Sequence, residues 1–185
     1  MKNIESVLLK NPTVVQIESP IEEYFLINQT GYFVSKEKKG PLLRHLLKEK
    51  DIKQVLIFTS SVYQADQLTF KLRKHEINAR AIHSKKSQGA RQEALTIFKA
   101  GKLNVLVTTD LLARGIDIEF LPYVINYELP RSPKDFVHRI GRTGRAENPG
   151  EAITFVTEED KHHFRVIQKK MKQWVTMIDS EKIFS

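Results

Sequence analysis

Apolar residues in this chain gather into short solid blocks, separated by longer stretches in which they recur every three or four positions. Val55-Leu56-Ile57-Phe58 is one such block. It is rich in β-formers and has no polar break, the pattern of a strand covered on both faces. Ala79-Arg80-Ala81-Ile82, Val105-Leu106-Val107, Tyr123-Val124-Ile125-Asn126-Tyr127 and Ala152-Ile153-Thr154-Phe155-Val156 read as four more strands. The stretches between them carry helical spacing. Residues 62–74 place Ala65, Leu68 and Leu72 on one face, and residues 87–100 do the same with Ala94, Leu95 and Phe98 before a terminating Gly101. A last helix is predicted over 158–172. Glu158, Glu159 and Asp160 fall in its first turn and Lys169, Lys170 and Lys172 near its end, as the helix dipole favours.

Strands alternating with helices of about 10–15 residues predict βαβ units, hence an α/β fold with a parallel sheet and helices on both faces. Residues 1–20 and 175–185 lack either period. The expected division is therefore an N-terminal arm or linker over 1–20, a single domain over 21–172 and a C-terminal tail over 173–185. Within the tail region, Trp174 is expected to pack on the domain. Ligands of such sheets collect outside the C-terminal ends of the strands. That directs attention to Thr59-Ser60, to Thr108-Thr109-Asp110 and to Glu128.

Composition narrows the classes. The 185 residues suit one domain, and with no cysteine among them, disulfides and thiolate metal sites are excluded. No apolar run approaches the roughly 20 residues of a membrane-spanning helix, and the first residues lack a secretory core, so a cytoplasmic location is expected and a membrane partner is not. The formal charge of +8 favours a polyanionic partner. Its cations cluster in residues 83–102, 131–145 and 161–172, which carry five Lys or Arg each against at most one acid.

Three segments carry candidate chemistry. His138-Arg139-Ile140-Gly141-Arg142-Thr143-Gly144-Arg145 crowds three arginines into seven residues, with glycines that permit tight turning. Arg142 and Arg145 are three apart, so on a helical turn both guanidinium forks point one way, which suits a phosphate chain. A solvated basic turn is the plain alternative. Thr108 to Asp117 starts at a strand end and offers hydroxyls, a glycine where phosphate can approach and the Asp117 carboxylate, able to accept from a ribose hydroxyl; an ordinary βα turn with Asp110 as a helix cap explains it equally. Gln88 and Arg91 lie three apart at a helix start, where donors reinforce the dipole for phosphate, although Gln88 could simply cap the helix.

Taken together and in order, these segments resemble the DEAD-box RNA helicases. Residues 55–60 look like motif IV, Gln88 and Arg91 match QxxR, Thr109 to Asp117 looks like motif V, and residues 138–145 match motif VI letter for letter. The likeness covers roughly residues 15–170, and His138, where DEAH-box relatives usually carry Gln, points to the DEAD-box group. The resemblance implies a RecA-like C-terminal lobe. By its pattern, Arg142 and Arg145 are arginine fingers that reach the γ-phosphate of ATP held by the other lobe, Asp117 contacts the ATP ribose, and His138 links the ATP site to that lobe. Arg114 and Arg139 match positions of internal pairing. Thr59, Gln88, Arg91, Thr109 and Gly115 match positions along the RNA backbone.

The sequence has no G-x-x-x-x-G-K-[ST] phosphate loop and no Asp-Glu-Ala-Asp tetrad. In the resembled family both lie in the N-terminal lobe, which binds ATP and Mg2+. The implied partners are thus RNA and that lobe, with no metal ligand in this chain. The chain alone is expected to be monomeric and to hydrolyse no ATP. Val14-Val15-Gln16-Ile17 resembles the first strand after the interlobe linker, which places the chain's start near that linker. A non-catalytic nucleic-acid module explains the charge but not the ordered motifs. A Rossmann-type domain explains the sheet but requires a G-x-G-x-x-G that is absent. A DNA helicase is opposed only by His138.

Overall fold

The computed structural model describes residues 27–110, 118, 120–144 and 150–184. In chain order the strands are β1 (Ile27–Phe33), β2 (Val55–Phe58), β3 (Ala79–Ile82), β4 (Val105–Thr108), β5 (Tyr123–Asn126), β6 (Gly150–Val156) and β7 (Thr176–Asp179). The helices are α1 (Lys39–Glu49), α2 (Val62–Lys74), α3 (Gln88–Lys99), α4 (Pro133–Ile140) and α5 (Lys161–Met171). The strands form one sheet in the order β3-β4-β2-β5-β6-β1-β7. Every pairing in it is parallel.

The four-residue apolar runs become the sheet centre because a strand buried on both faces can afford no polar position. All four residues of β2 and of β4 are buried. Alternation splits them between two cores: Val55 and Ile57 pack with Leu42, Leu46, Ala65 and Leu68 of α1 and α2, whereas Leu56 and Phe58 pack with Ala94 and Phe98 of α3. A third cluster joins Phe136 and Ile140 of α4 to Phe164 and Ile167 of α5 over Ala152 and Val156. Helices therefore cover both faces, as the alternation of periods predicts.

Three expectations are corrected. The domain does not end at 172. Residues 173–185, expected as a tail, contain β7, which pairs with β1 from Thr30↔Thr176 to Phe33↔Asp179. Its pattern escaped notice because it is an edge strand with little burial, so no apolar alternation marks it. Trp174 does not pack, being 67% exposed, and the residue that docks this segment is its neighbour Val175. The last helix starts at Lys161 rather than 158. Its acids precede it in a turn where Asp160 accepts hydrogen bonds from the Thr157 hydroxyl (2.7 Å) and backbone N–H (3.3 Å).

A close backbone crossing ties the arginine-rich segment to the sheet. Gly144 has φ +72°, and a Cβ there would lie 3.0 Å from the Gly150 nitrogen. A Cβ on Gly150 would fall 1.9 Å from the Thr143 hydroxyl and 2.3 Å from the Gly144 nitrogen. Gly150→Ala therefore forces the segment off β6. It is expected to cost about 1–3 kcal/mol of stability, read as a lowered urea midpoint at unchanged slope.

Candidate functional site

The C-terminal ends of three central strands stand side by side, Phe58 opposite Thr108 on one flank and Asn126 on the other. Thr59 continues β2 by donating its N–H to the Thr108 carbonyl at 3.0 Å. Its hydroxyl is directed inward, 3.2 Å from the Ser61 carbonyl and 3.3 Å from that of Thr108, and the residue is fully buried. The expected contact of Thr59 with RNA is therefore corrected, since its side chain is spent on the backbone beneath. Ser60 is the surface position here. Its N–H and hydroxyl both donate to the Glu128 carboxylate, each at 2.7 Å.

The central feature is Arg139. Ser132 caps α4 by accepting from the Asp135 N–H (3.1 Å) and donating to its carboxylate (2.8 Å), with Pro133 opening the helix. So fixed, α4 turns Arg139 inward, where it is 2% exposed. Its Nε and Nη2 donate to the two oxygens of Asp110 at 2.5 and 2.8 Å, a fork-on-carboxylate pair. Nη1 donates to Asn126 Oδ1 (3.1 Å) and to the Glu128 carbonyl (2.6 Å). The Phe58 ring lies 4.9 Å from the guanidinium carbon, and Asn126 is held in turn by donating to the Thr154 hydroxyl at 3.1 Å. One buried cation thus joins the ends of β2, β4, β5 and β6. Asp110 is the partner of this arginine, and the residues that a helix cap at this position would serve lie outside the described residues. The sequence marked both residues but not their pairing, and nothing in a linear pattern announces Asn126.

Around this anchor the remaining groups differ in exposure. His138, one position before Arg139, is exposed on α4. Arg142 follows the helix. Its N–H donates to the Arg139 carbonyl (3.2 Å) and its carbonyl accepts from the Leu121 N–H (3.0 Å), while the buried Thr143 hydroxyl donates to the Leu121 carbonyl. The helical-turn argument for aligning Arg142 with Arg145 does not hold, because α4 ends at Ile140 and Gly144 takes a positive φ. Arg145, Arg114, Gly115 and Asp117 lie outside the described residues, as do Val14 to Ile17. Thr109 is half-buried just beyond β4.

On α3 the cap is Ser87, which accepts from the Ala90 N–H at 3.2 Å. Gln88 is therefore left for another role, and its carbonyl oxygen accepts from Arg91 Nη2 at 2.5 Å. Arg91 Nε is buried without a hydrogen-bond partner among the described residues. At the mouth of β5, Lys39 sits with its ammonium 5.6 Å from the Tyr127 ring centre. Burial lowers the pKa of Lys39 against the attraction of Asp160 and Glu128, and burial raises the Tyr127 phenol to about 12. Among the described residues, no three His, Cys, Asp or Glu gather to hold a metal, and no helix is long and apolar enough to cross a membrane.

Residues 38–147 match the family described as the helicase conserved C-terminal domain. The chain belongs to that family. Its solved likenesses place it among the DEAD-box members. The Escherichia coli DEAD-box protein SrmB, in a structure with the regulator of ribonuclease activity A, is 35% identical at a TM-score of 0.78 over 82% of this chain and 90% of that one. Saccharomyces cerevisiae Dbp5 bound to RNA and ADP BeF3 superposes with a TM-score of 0.83 at 28% identity, over 95% of this chain and 47% of that chain. Among curated relatives, the probable ATP-dependent RNA helicase DDX52 of Rattus norvegicus is 38% identical over 175 residues, 94% of this chain. The chain spans 28% of that relative's length. The RecA-like fold expected from the motifs is thus the fold found.

Proposed function

We propose that this chain is the C-terminal lobe of an ATP-dependent RNA helicase and supplies half of a composite ATP and RNA site. The observation that carries the reading is the Arg139 anchor. It fixes the cationic segment 138–144 to Asp110 and to the ends of three further strands, where ligands of parallel sheets bind. In this reading Arg142 and Arg145 complete the site of an ATP whose β-phosphate and Mg2+ are held by the N-terminal lobe. They stabilise charge that develops during phosphoryl transfer. Asp117 accepts from the ribose, and His138 couples the two lobes. Gln88, Arg91, Thr109 and Gly115 hold phosphates of one RNA strand, with Thr59 acting only through the placement of Ser60. Closure of the lobes on ATP and RNA together assembles the fingers and bends the strand, so that a short duplex opens locally, and hydrolysis lets it go. In this reading the domain spans 21–172 together with β7, and the protein works in the cytoplasm.

The RNA half is tested at Arg91. Replacing it by alanine in the protein that carries both lobes should weaken single-stranded RNA binding by about tenfold. The loss should be equal for two unrelated oligomers, and the salt slope should fall by about 0.7, because a phosphate contact reads no base. Fluorescence anisotropy across a salt series measures both quantities. Unchanged affinity for both oligomers removes the start of α3 from the RNA track, and a loss confined to one shows that Arg91 reads bases.

A further inference from the structure

A groove of about 880 Å³ runs along β3 between α2 and α3, at the edge of the sheet. We infer that it docks an acidic, extended peptide segment of a partner protein, with one aliphatic side chain seated between the helices. The inference does not rest on the RNA reading.

Charge is the first argument. Four cations line the groove (Arg73, Lys74, Arg80 and Lys86) against one acid, Asp66. That acid is already answered: Lys86 lies 2.9 Å and His83 3.0 Å from its carboxylate, and their hydrogen bonds hold it below the usual range although burial pushes it up. Arg80 is paired with Glu93 on α3 at 2.8 Å. Arg73 and Lys74, in the last turn of α2, have no ion-pair partner among the described residues. Uncompensated positive charge therefore sits at one end of the groove.

Shape is the second. Phe70 is 57% exposed on the α2 wall, with the Lys74 ammonium 4.6 Å from its ring centre. Ala90 and Ala94 form the facing wall on α3, and residues this small leave a hollow beside the ring. An aromatic face opposite alanines accepts a branched aliphatic chain and excludes water from it.

The floor is the third. Among the described residues β3 pairs only with β4, and the Asn78 carbonyl accepts from the Val105 N–H at 3.1 Å. In a parallel ladder alternate residues bond to the same neighbour, so Arg80 turns its peptide groups to β4 and half-buried Ala81 turns its own to the open side. A peptide backbone, with donors and acceptors alternating, complements such an edge. The phosphates of an RNA strand offer acceptors alone, and its 2′-hydroxyl donors do not recur at the spacing of a peptide's N–H groups. An RNA strand leaving Gln88 and Arg91 for this groove also meets the Asp66 carboxylate before it reaches Arg73 and Lys74.

The test uses the chain itself and three labelled probes followed by fluorescence anisotropy. They are a short peptide of alternating glutamate and leucine, the same peptide with lysine for glutamate, and a uridine oligomer. The acidic peptide should bind saturably and the basic one should not. The double variant Arg73→Glu, Lys74→Glu should weaken the acidic peptide by about tenfold or more, and Arg73→Gln, Lys74→Gln by less, with uridine binding unchanged in both. The glutamine pair carries the result if charge reversal harms the fold. Absence of saturable acidic-peptide binding overturns the proposal, as does equal affinity in all three proteins. Loss of uridine binding in the variants with the peptide unaffected also overturns it, and makes the groove a nucleic-acid channel.

Discussion

Replacing Arg139 by methionine is expected to remove about 3–5 kcal/mol of stability, enough to leave a domain of this size largely unfolded under mild denaturant. The substitution keeps volume and deletes charge. It strands the Asp110 carboxylate, Asn126 Oδ1 and the Glu128 carbonyl, which together accept four hydrogen bonds from the one guanidinium. Lysine does not restore them, because a single ammonium cannot span a bidentate carboxylate and two further acceptors. Urea titration followed by circular dichroism reads the loss. A variant within about 1 kcal/mol of the parent shows that solvent reaches these acceptors and that the anchor is dispensable.

Arg142→Ala should behave in the opposite way, leaving the fold intact and removing chemistry. The backbone at 142 is fixed by its own bonds to Arg139 and Leu121, so truncating the side chain leaves the turn in place. In the protein that carries both lobes, RNA-stimulated ATP hydrolysis should fall by about 10³-fold or more, with far less change in ATP affinity. A finger acts on charge that appears only in the transition state, so kcat carries the loss. Phosphate release under saturating ATP measures it. Turnover equal to the parent's returns the segment to a solvated basic turn.

The two arginines differ in how well the sequence disclosed them. Arg142 belongs to an eight-residue run whose order with three other segments made the family legible, and the fold found is the one that family implies. Arg139 sits in the same run, yet its partners lie 29 residues away at Asp110 and 13 away at Asn126. Only the sheet order, with β4 and β5 on either side of β2, brings them together. Strands buried on both faces announced themselves as solid apolar runs. β1, with Asn28, Gln29, Thr30 and Gly31 inside it, did not, because its place between β6 and β7 supplies the partners that its composition does not advertise. α1 carried a readable signal in Leu42, Leu43, Leu46 and Leu47 that the strand-to-helix alternation had left unassigned. Thr59 misled because a hydroxyl at a strand end looks the same in sequence whether it faces solvent or the Thr108 carbonyl.

The strand formed by Thr176–Asp179 also bears on how pieces of this domain behave when handled separately. It covers Thr30 to Phe33 of β1, and Val175, just ahead of it, closes the cluster beneath α5. A polypeptide ended at the last turn of α5 keeps every motif residue, yet it bares the outer hydrogen-bonding groups of Thr30 to Phe33 in β1 next to an uncapped apolar patch. Long, unprotected strand edges recruit one another, so such a shortened product self-associates through its sheet. The boundary that keeps this sheet edge covered therefore lies beyond the last motif residue.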